Sequence, residues 1–319
     1  MLPILDIPSY IHGNLVVEKE LLAWFKNRDS IAFVGAGASA DLYGTWNRLI
    51  YFLADSAVER GLASGEEREF WVTNISSRPQ QITKAIRKKL GDNRIFEDIL
   101  RDYFKPKIHP TTKKPFTPLH EKIARLPFKG IVTTNYDCGL QEAMRTCQPD
   151  MPLNYGTWTE REIVNSWYNN DIFKDGSCPL LYAHGMHERP GTIILDTDKY
   201  REAYKFEPFT EMYKNLWATQ HLAIIGVGFT DSWMDRTLDD ILTHLVYGVG
   251  TRHIAIVGLR DGEVKHANSI RLMIQSAYNA KVYFYRVKTK DVDGLITEDH
   301  GELLEFLEKM YNEWLLFKK

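Results

Sequence analysis

His184, Asn135 and Asp137 are the side chains of this sequence best suited to chemistry, and each follows a short apolar run. His184 lies in Leu180-Leu-Tyr-Ala-His-Gly185, and imidazole is the group that titrates near neutral pH, which suits it to general-base work. Asn135 and Asp137 belong to Thr133-Thr134-Asn135-Tyr136-Asp137, a block of hydrogen-bonding groups after Ile131-Val132. Read alone, neither motif decides anything. Thr and Asx residues at strand ends commonly make turns or caps, and a lone histidine there is commonly structural. Two glycine turns accompany them, Gly35-Ala36-Gly37-Ala38-Ser39 and Gly226-Val227-Gly228. Such turns let a phosphate approach backbone N–H groups at a helix start, where the dipole favours an anion. The third glycine of the usual dinucleotide fingerprint is absent, since Ala40 stands in its place. After the second turn, Phe229-Thr230-Asp231 offers a hydroxyl and a carboxylate to an adenosine ribose, although Asp231 is equally able to cap a helix from Ser232.

The elements that must position these residues follow from apolar spacing. The run 31–34 reads as a strand buried on both faces, and further strands are predicted over 130–134, 180–183, 221–225, 253–257 and 281–287. Helices are predicted over 19–27, 46–59, 66–73, 79–90, 94–104, 119–126 and 302–317. Strands alternating with helices imply an α/β fold, a Rossmann-like, mostly parallel sheet with helices on both faces. The whole chain, 1–319, reads as one domain: a core over about 28–55 and 128–290, an inserted helical module over about 56–127, and a C-terminal helix over about 301–317. In such sheets ligands sit at the carboxyl ends of the strands, and every polar motif above follows a strand. Residues 191–196 look like a hairpin leading into a helix, with Tyr200 and Tyr204 as packing residues on that helix.

Composition excludes several classes. With 40 basic against 42 acidic side chains and only short basic runs, direct nucleic-acid binding is not expected. No apolar run approaches the roughly 20 residues of a membrane span, and the N-terminus lacks a secretory signal, so the expected location is the cytoplasm. Cys138, Cys147 and Cys178 contain no close pair, which fits neither a disulfide framework nor a four-thiolate zinc site.

Taken in order, the motifs resemble the sirtuin (SIR2-like) superfamily. Its G-A-G-x-S loop matches Gly35 to Ser39, its T-Q-N-x-D block matches Thr133 to Asp137, its H-G pair matches His184-Gly185, and its late glycine segment matches Gly226 to Gly228. The departures are informative: Thr134 replaces Gln, Leu42-Tyr43-Gly44-Thr45-Trp46 replaces G-I-P-x-F-R, and the Cys-x-x-Cys pairs of the family's zinc module are missing. This combination resembles the bacterial branch whose members hydrolyse NAD in defence against bacteriophage.

The resemblance implies an NAD+ glycohydrolase with NAD as substrate and no metal. It implies that Asn135 positions the ribose hydroxyls and the attacking water, His184 accepts a proton, and Asp137 holds the loop or the nicotinamide side. Gly35, Ala36, Gly37, Ser39, Trp46, Thr134, Gly226, Gly228, Phe229 and Asp231 would contact the dinucleotide. Tyr43, Trp46, Tyr155, Trp158 and Trp167 are candidates to cover the nicotinamide or stack on adenine, with Trp158 and Trp167 more readily explained as packing for residues 154–177. A non-hydrolytic sensor of NAD or ADP-ribose is the alternative, and a deacylase or ADP-ribosyltransferase ranks below both. An unregulated NADase would be toxic, so control is expected from homo-oligomerisation or a partner, for which the bacterial branch suggests a HerA-type ATPase.

Overall fold

A computed structural model describes residues 11, 13–228, 252–292 and 295–318. Phe229, Thr230 and Asp231 lie outside the described residues. Among the described residues, seven parallel strands form the central sheet in the order β3-β4-β2-β1-β5-β6-β7: β1 (Ile31–Val34), β2 (Gly130–Thr133), β3 (Tyr155–Thr157), β4 (Leu180–Tyr182), β5 (Leu222–Ile225), β6 (His253–Leu259) and β7 (Ala280–Arg286). A two-stranded antiparallel ribbon follows, β8 (Lys288–Val292) with β9 (Leu295–Asp299).

Side chains alternate between the two faces with the period of two that a strand imposes. Ala32, Val34, Ile131, Tyr182, Ala223 and Ile225 enter one core, while Ile31, Phe33, Val132, Leu181, Leu222 and Ile224 enter the other. The first face is covered by α1 (Asn14–Asn27), α7 (Pro118–Arg125), α8 (Gly139–Cys147) and α13 (Gly301–Lys318). The second is covered by α9 (Arg161–Tyr168), α10 (Thr197–Lys205), α11 (Glu207–Thr219) and α12 (Ala267–Tyr278). Strands buried on both sides have no use for polar alternation, which is why they read as continuous apolar runs.

A third core belongs to the helices between β1 and α7: α2 (Ala40–Tyr43), α3 (Trp46–Glu59), α4 (Gly65–Asn74), α5 (Pro79–Leu90) and α6 (Asn93–Tyr103). Their starts are chemically specified. Ser64 and Glu67 form a reciprocal capping box on α4, Pro79 opens α5, and the Asp92 side chain accepts from the Arg94 N–H at the start of α6. The apolar face of α6, Phe96, Ile99, Leu100 and Tyr103, packs with Leu49 and Leu53 of α3 and with Tyr136, which follows β2. The helical bundle therefore joins the sheet next to the Thr133–Asp137 block. The segment before α10 is not a hairpin: Pro190–Thr192 forms a single 3-10 turn, and Asp196 caps α10 by accepting from the Asp198 and Lys199 N–H groups. No helix among the described residues is long and apolar enough to cross a membrane.

Candidate active site

Strand register places the polar motifs on one rim. Val34 pairs with Thr133 and with Ile225, and Thr133 pairs with Tyr182, so the chain leaves these four strands at the same level. Just beyond lie Gly35, Thr134, Ala183 followed by His184, and Gly226. The two glycine turns meet where the strand order reverses, between β1 and β5. Gly35 N–H donates to Ile225 O at 2.9 Å and Gly37 N–H donates to Gly226 O at 2.9 Å. Gly226 has φ +68°, and a Cβ on Gly37 would lie 3.0 Å from the Gly226 Cα, so both glycines are required for this approach.

Above the turns is a cavity lined by Gly35, Ala36, Ser39, Thr134, Asn135, Asp137, His184 and Gly228, with Tyr43, Trp46, Tyr103, Phe104 and Tyr200 as its aromatic walls. Gly37 and Gly226 support this cavity from below without lining it. Of the aromatic candidates, Tyr43 and Trp46 reach it, whereas Trp158 and Trp167 are buried in the core of the second face, where the Trp158 indole N–H donates to Thr192 O at 2.7 Å. Tyr155 packs against the first-face core.

Asn135 is held tightly at one end. Its backbone N–H donates to Thr133 Oγ1 at 3.0 Å, and its side-chain Nδ2 donates to Ser39 Oγ at 2.9 Å. Its Oδ1 is buried and has no hydrogen-bond partner among the described residues, and the same holds for the donor Nε1 of Trp46. A buried polar atom without a partner costs about 1–3 kcal/mol, so an acceptor and a donor among the lining residues remain to be satisfied. Asp137 accepts from the Gly139 N–H at 2.8 Å, which opens α8. Its charge acts on several groups around the cavity floor. Burial, and then the Asp137 and Glu142 charges, push the Cys138 thiol up to about 12, which disfavours the thiolate a nucleophile needs. Burial pushes Cys178 up to about 12 as well.

His184 is buried and edge-on to the Tyr200 ring, with centroids 5.6 Å apart. Its carbonyl accepts from the Ile194 N–H at 2.8 Å, and the following Gly185 has φ +86°, where a Cβ would strike the Thr192 carbonyl. The sharp turn after β4 thus needs glycine and fixes the histidine at the cavity wall. Sequence reasoning assigned Tyr200 to helix packing alone, and it missed His120, which is fully buried on α7 and lies 3.1 Å from Ser39 Oγ through Nε2. Burial holds the His120 pKa down, with the Asp137 and Asp41 charges opposing. A histidine within an amphipathic helix gives no signal of its partner 81 residues away. Among the described residues no cluster of three or more His, Cys, Asp or Glu side chains is arranged to hold a metal ion.

Residues 129–283 match the model of the SIR2-like domain, a stretch running from just before β2 into β7 that takes in Asn135, Asp137, His184 and the second glycine turn. That stretch is similar in sequence to SIR2-like domains. Proteins similar to this chain include NAD(+) hydrolase ThsA of Bacillus cereus (strain MSX-D12), 22% identical over 94% of this chain and 58% of that protein. NAD(+) hydrolase ThsA of Enterococcus faecium is 24% identical over 89% of this chain and 55% of its own length. Defense-associated sirtuin 2 of Bacillus subtilis is 25% identical over 68% of this chain and 20% of its own length. The chain thus spans little more than half the length of the two ThsA relatives.

Proposed function

We propose that this chain is an NAD+ glycohydrolase that cleaves the nicotinamide-ribose bond and acts as an NAD-depleting effector in antiphage defence. The observation that carries the reading is the gathering of Asn135, Asp137 and His184 around one aromatic-walled cavity directly above two interlocked glycine turns. The similarity to proteins named NAD(+) hydrolase supports the choice of substrate.

In this reading the adenosine diphosphate lies over the glycine turns and the nicotinamide riboside enters the cavity. Asn135 Oδ1 accepts a hydrogen bond from a ribose hydroxyl or the attacking water, and the Trp46 indole N–H donates to a substrate oxygen. Water adds to the ribose carbon as the bond to nicotinamide breaks, releasing nicotinamide, ADP-ribose and one proton, and His184 takes that proton. The Asp137 carboxylate favours the positive charge carried first by the nicotinamide ring and then by the oxocarbenium-like ribose. The aromatic walls limit the water admitted. Because free turnover would exhaust the cell's NAD, self-association or a partner protein such as a HerA-type ATPase would set its activity.

Incubating purified protein with NAD and measuring nicotinamide and ADP-ribose tests the reading. Equal release of both products supports it. Tight NAD binding without release, in every assembly state, would instead favour a sensor.

A further inference from the structure

We infer that His120 is a positioning residue that fixes Ser39 as a hydrogen-bond donor to the substrate and leaves Asn135 Oδ1 as the acceptor. The inference rests on the NAD-cleaving reading of the cavity and adds to it the proton arrangement of the wall.

The argument begins at α7. Thr117 and His120 form a reciprocal cap: the His120 N–H donates to Thr117 Oγ1 at 3.1 Å, and the Thr117 N–H donates to His120 Nδ1 at 3.3 Å. A ring nitrogen that accepts from a backbone N–H carries no proton itself. The ring is fully buried, and burial lowers its pKa against the opposing charges of Asp137 and Asp41. The single ring proton therefore sits on Nε2 and is donated to Ser39 Oγ, 3.1 Å away. Asn135 Nδ2 has only protons to offer and donates to the same oxygen at 2.9 Å. Both acceptor positions of the Ser39 hydroxyl are then filled from within the protein. Its own proton has to point elsewhere, and Ser39 lines the cavity. Thr117 Oγ1 donates to Ala38 O at 2.8 Å and ties the cap to the glycine turn that carries Ser39.

The consequence is directional. Ser39 offers a proton to an electron-rich oxygen, a ribose hydroxyl or a phosphate oxygen, and cannot serve as an acceptor. With Nδ2 committed to Ser39, the amide of Asn135 cannot rotate without breaking that bond, so Oδ1 stays the end that receives a hydrogen bond.

The test has two parts. In protein labelled with 15N-histidine, long-range 1H–15N correlations at pH 7, assigned through His120→Gln, should show His120 as a neutral ring with its proton on Nε2. A proton on Nδ1, or a charged ring, would overturn the inference whether or not the protein cleaves NAD. The second part is a double-mutant cycle on NAD kcat/KM. His120→Leu should lower it about 10- to 100-fold, as expected for losing one or two such hydrogen bonds. His120→Gln, whose amide N–H can replace Nε2–H, should recover most of that loss. In a Ser39→Ala background His120→Leu should add less than about threefold. Fully additive losses, or a folded His120→Leu enzyme as active as wild type, would contradict the positioning role. Neutral Nε2–H histidine in a protein that never releases nicotinamide would count against the hydrolase reading while leaving this geometry intact.

Discussion

A Cβ placed on Gly35 would lie 2.6 Å from the carbonyl oxygen of Gly226. The turns after β1 and β5 thus approach so closely that a side chain at Gly35 would strike the Gly226 carbonyl and both the backbone and side chain of Val227. Gly35→Ala should force the turns apart, lowering stability by about 1–3 kcal/mol, as overpacking a filled site does, and abolishing NAD turnover. Thermal unfolding beside an activity assay checks this. A Gly35→Ala protein with unchanged melting temperature and activity would show that the close approach is dispensable.

The helical bundle is pinned to α10 by Arg87, whose guanidinium lies 2.7 Å from Asp196. The Asp196 carboxylate is almost wholly buried, whereas Arg87 is about a quarter exposed. Arg87→Met leaves that carboxylate without its cation and should cost about 2–4 kcal/mol in urea unfolding. Because Asp196 caps the helix that holds Tyr200 against His184, kcat should fall with it. Asp196→Asn retains an oxygen for the cap and should cost less. Equal stability of Arg87→Met and wild type would remove the pin from the account.

Acid should destabilise the protein partly through His253, at the start of β6. Its Nδ1 accepts from the Leu222 N–H at 3.3 Å, its ring sits edge-on to Trp217, and burial lowers its pKa to about 3. A histidine neutral in the fold and protonated near 6.5 when unfolded contributes stability that is complete above pH 6.5 and is lost as pH falls from there toward 3. The loss is at most about 1.4 kcal/mol per pH unit for this one group. His120 acts with the same sign. Unfolding free energies between pH 7 and pH 4 should fall more steeply for wild type than for His253→Asn. Parallel curves would mean that His253 titrates alike in both states.

The strands of the core were legible because each is a run of apolar residues ending at a polar motif, as in Ile31–Val34 before Gly35 and Leu222–Ile225 before Gly226. Strand β3 was not: Tyr155–Thr157 has three residues with Gly156 at its centre, too short to display a period and weak in propensity. The rim on which Asn135, Asp137 and His184 stand could be anticipated from their shared place after strands. The contributions of the helices could not. Tyr103 and Phe104 reach the cavity from α6 and its end, Tyr200 from α10, and His120 backs Ser39 from α7. Each of these looks in sequence like an ordinary buried helix residue, since what they touch is set by how helices dock rather than by local spacing.

The most direct measurement is the single-site test of the two wall residues: NAD turnover of Asn135→Ala and His184→Ala beside wild type, with circular dichroism to establish that the fold is kept. The account predicts that wild type releases nicotinamide and ADP-ribose and that each substitution lowers the rate about 10²- to 10⁴-fold, as loss of a general base or of its positioned partner does. Either variant turning over NAD within a few-fold of wild type would contradict the claim that this cavity performs the cleavage.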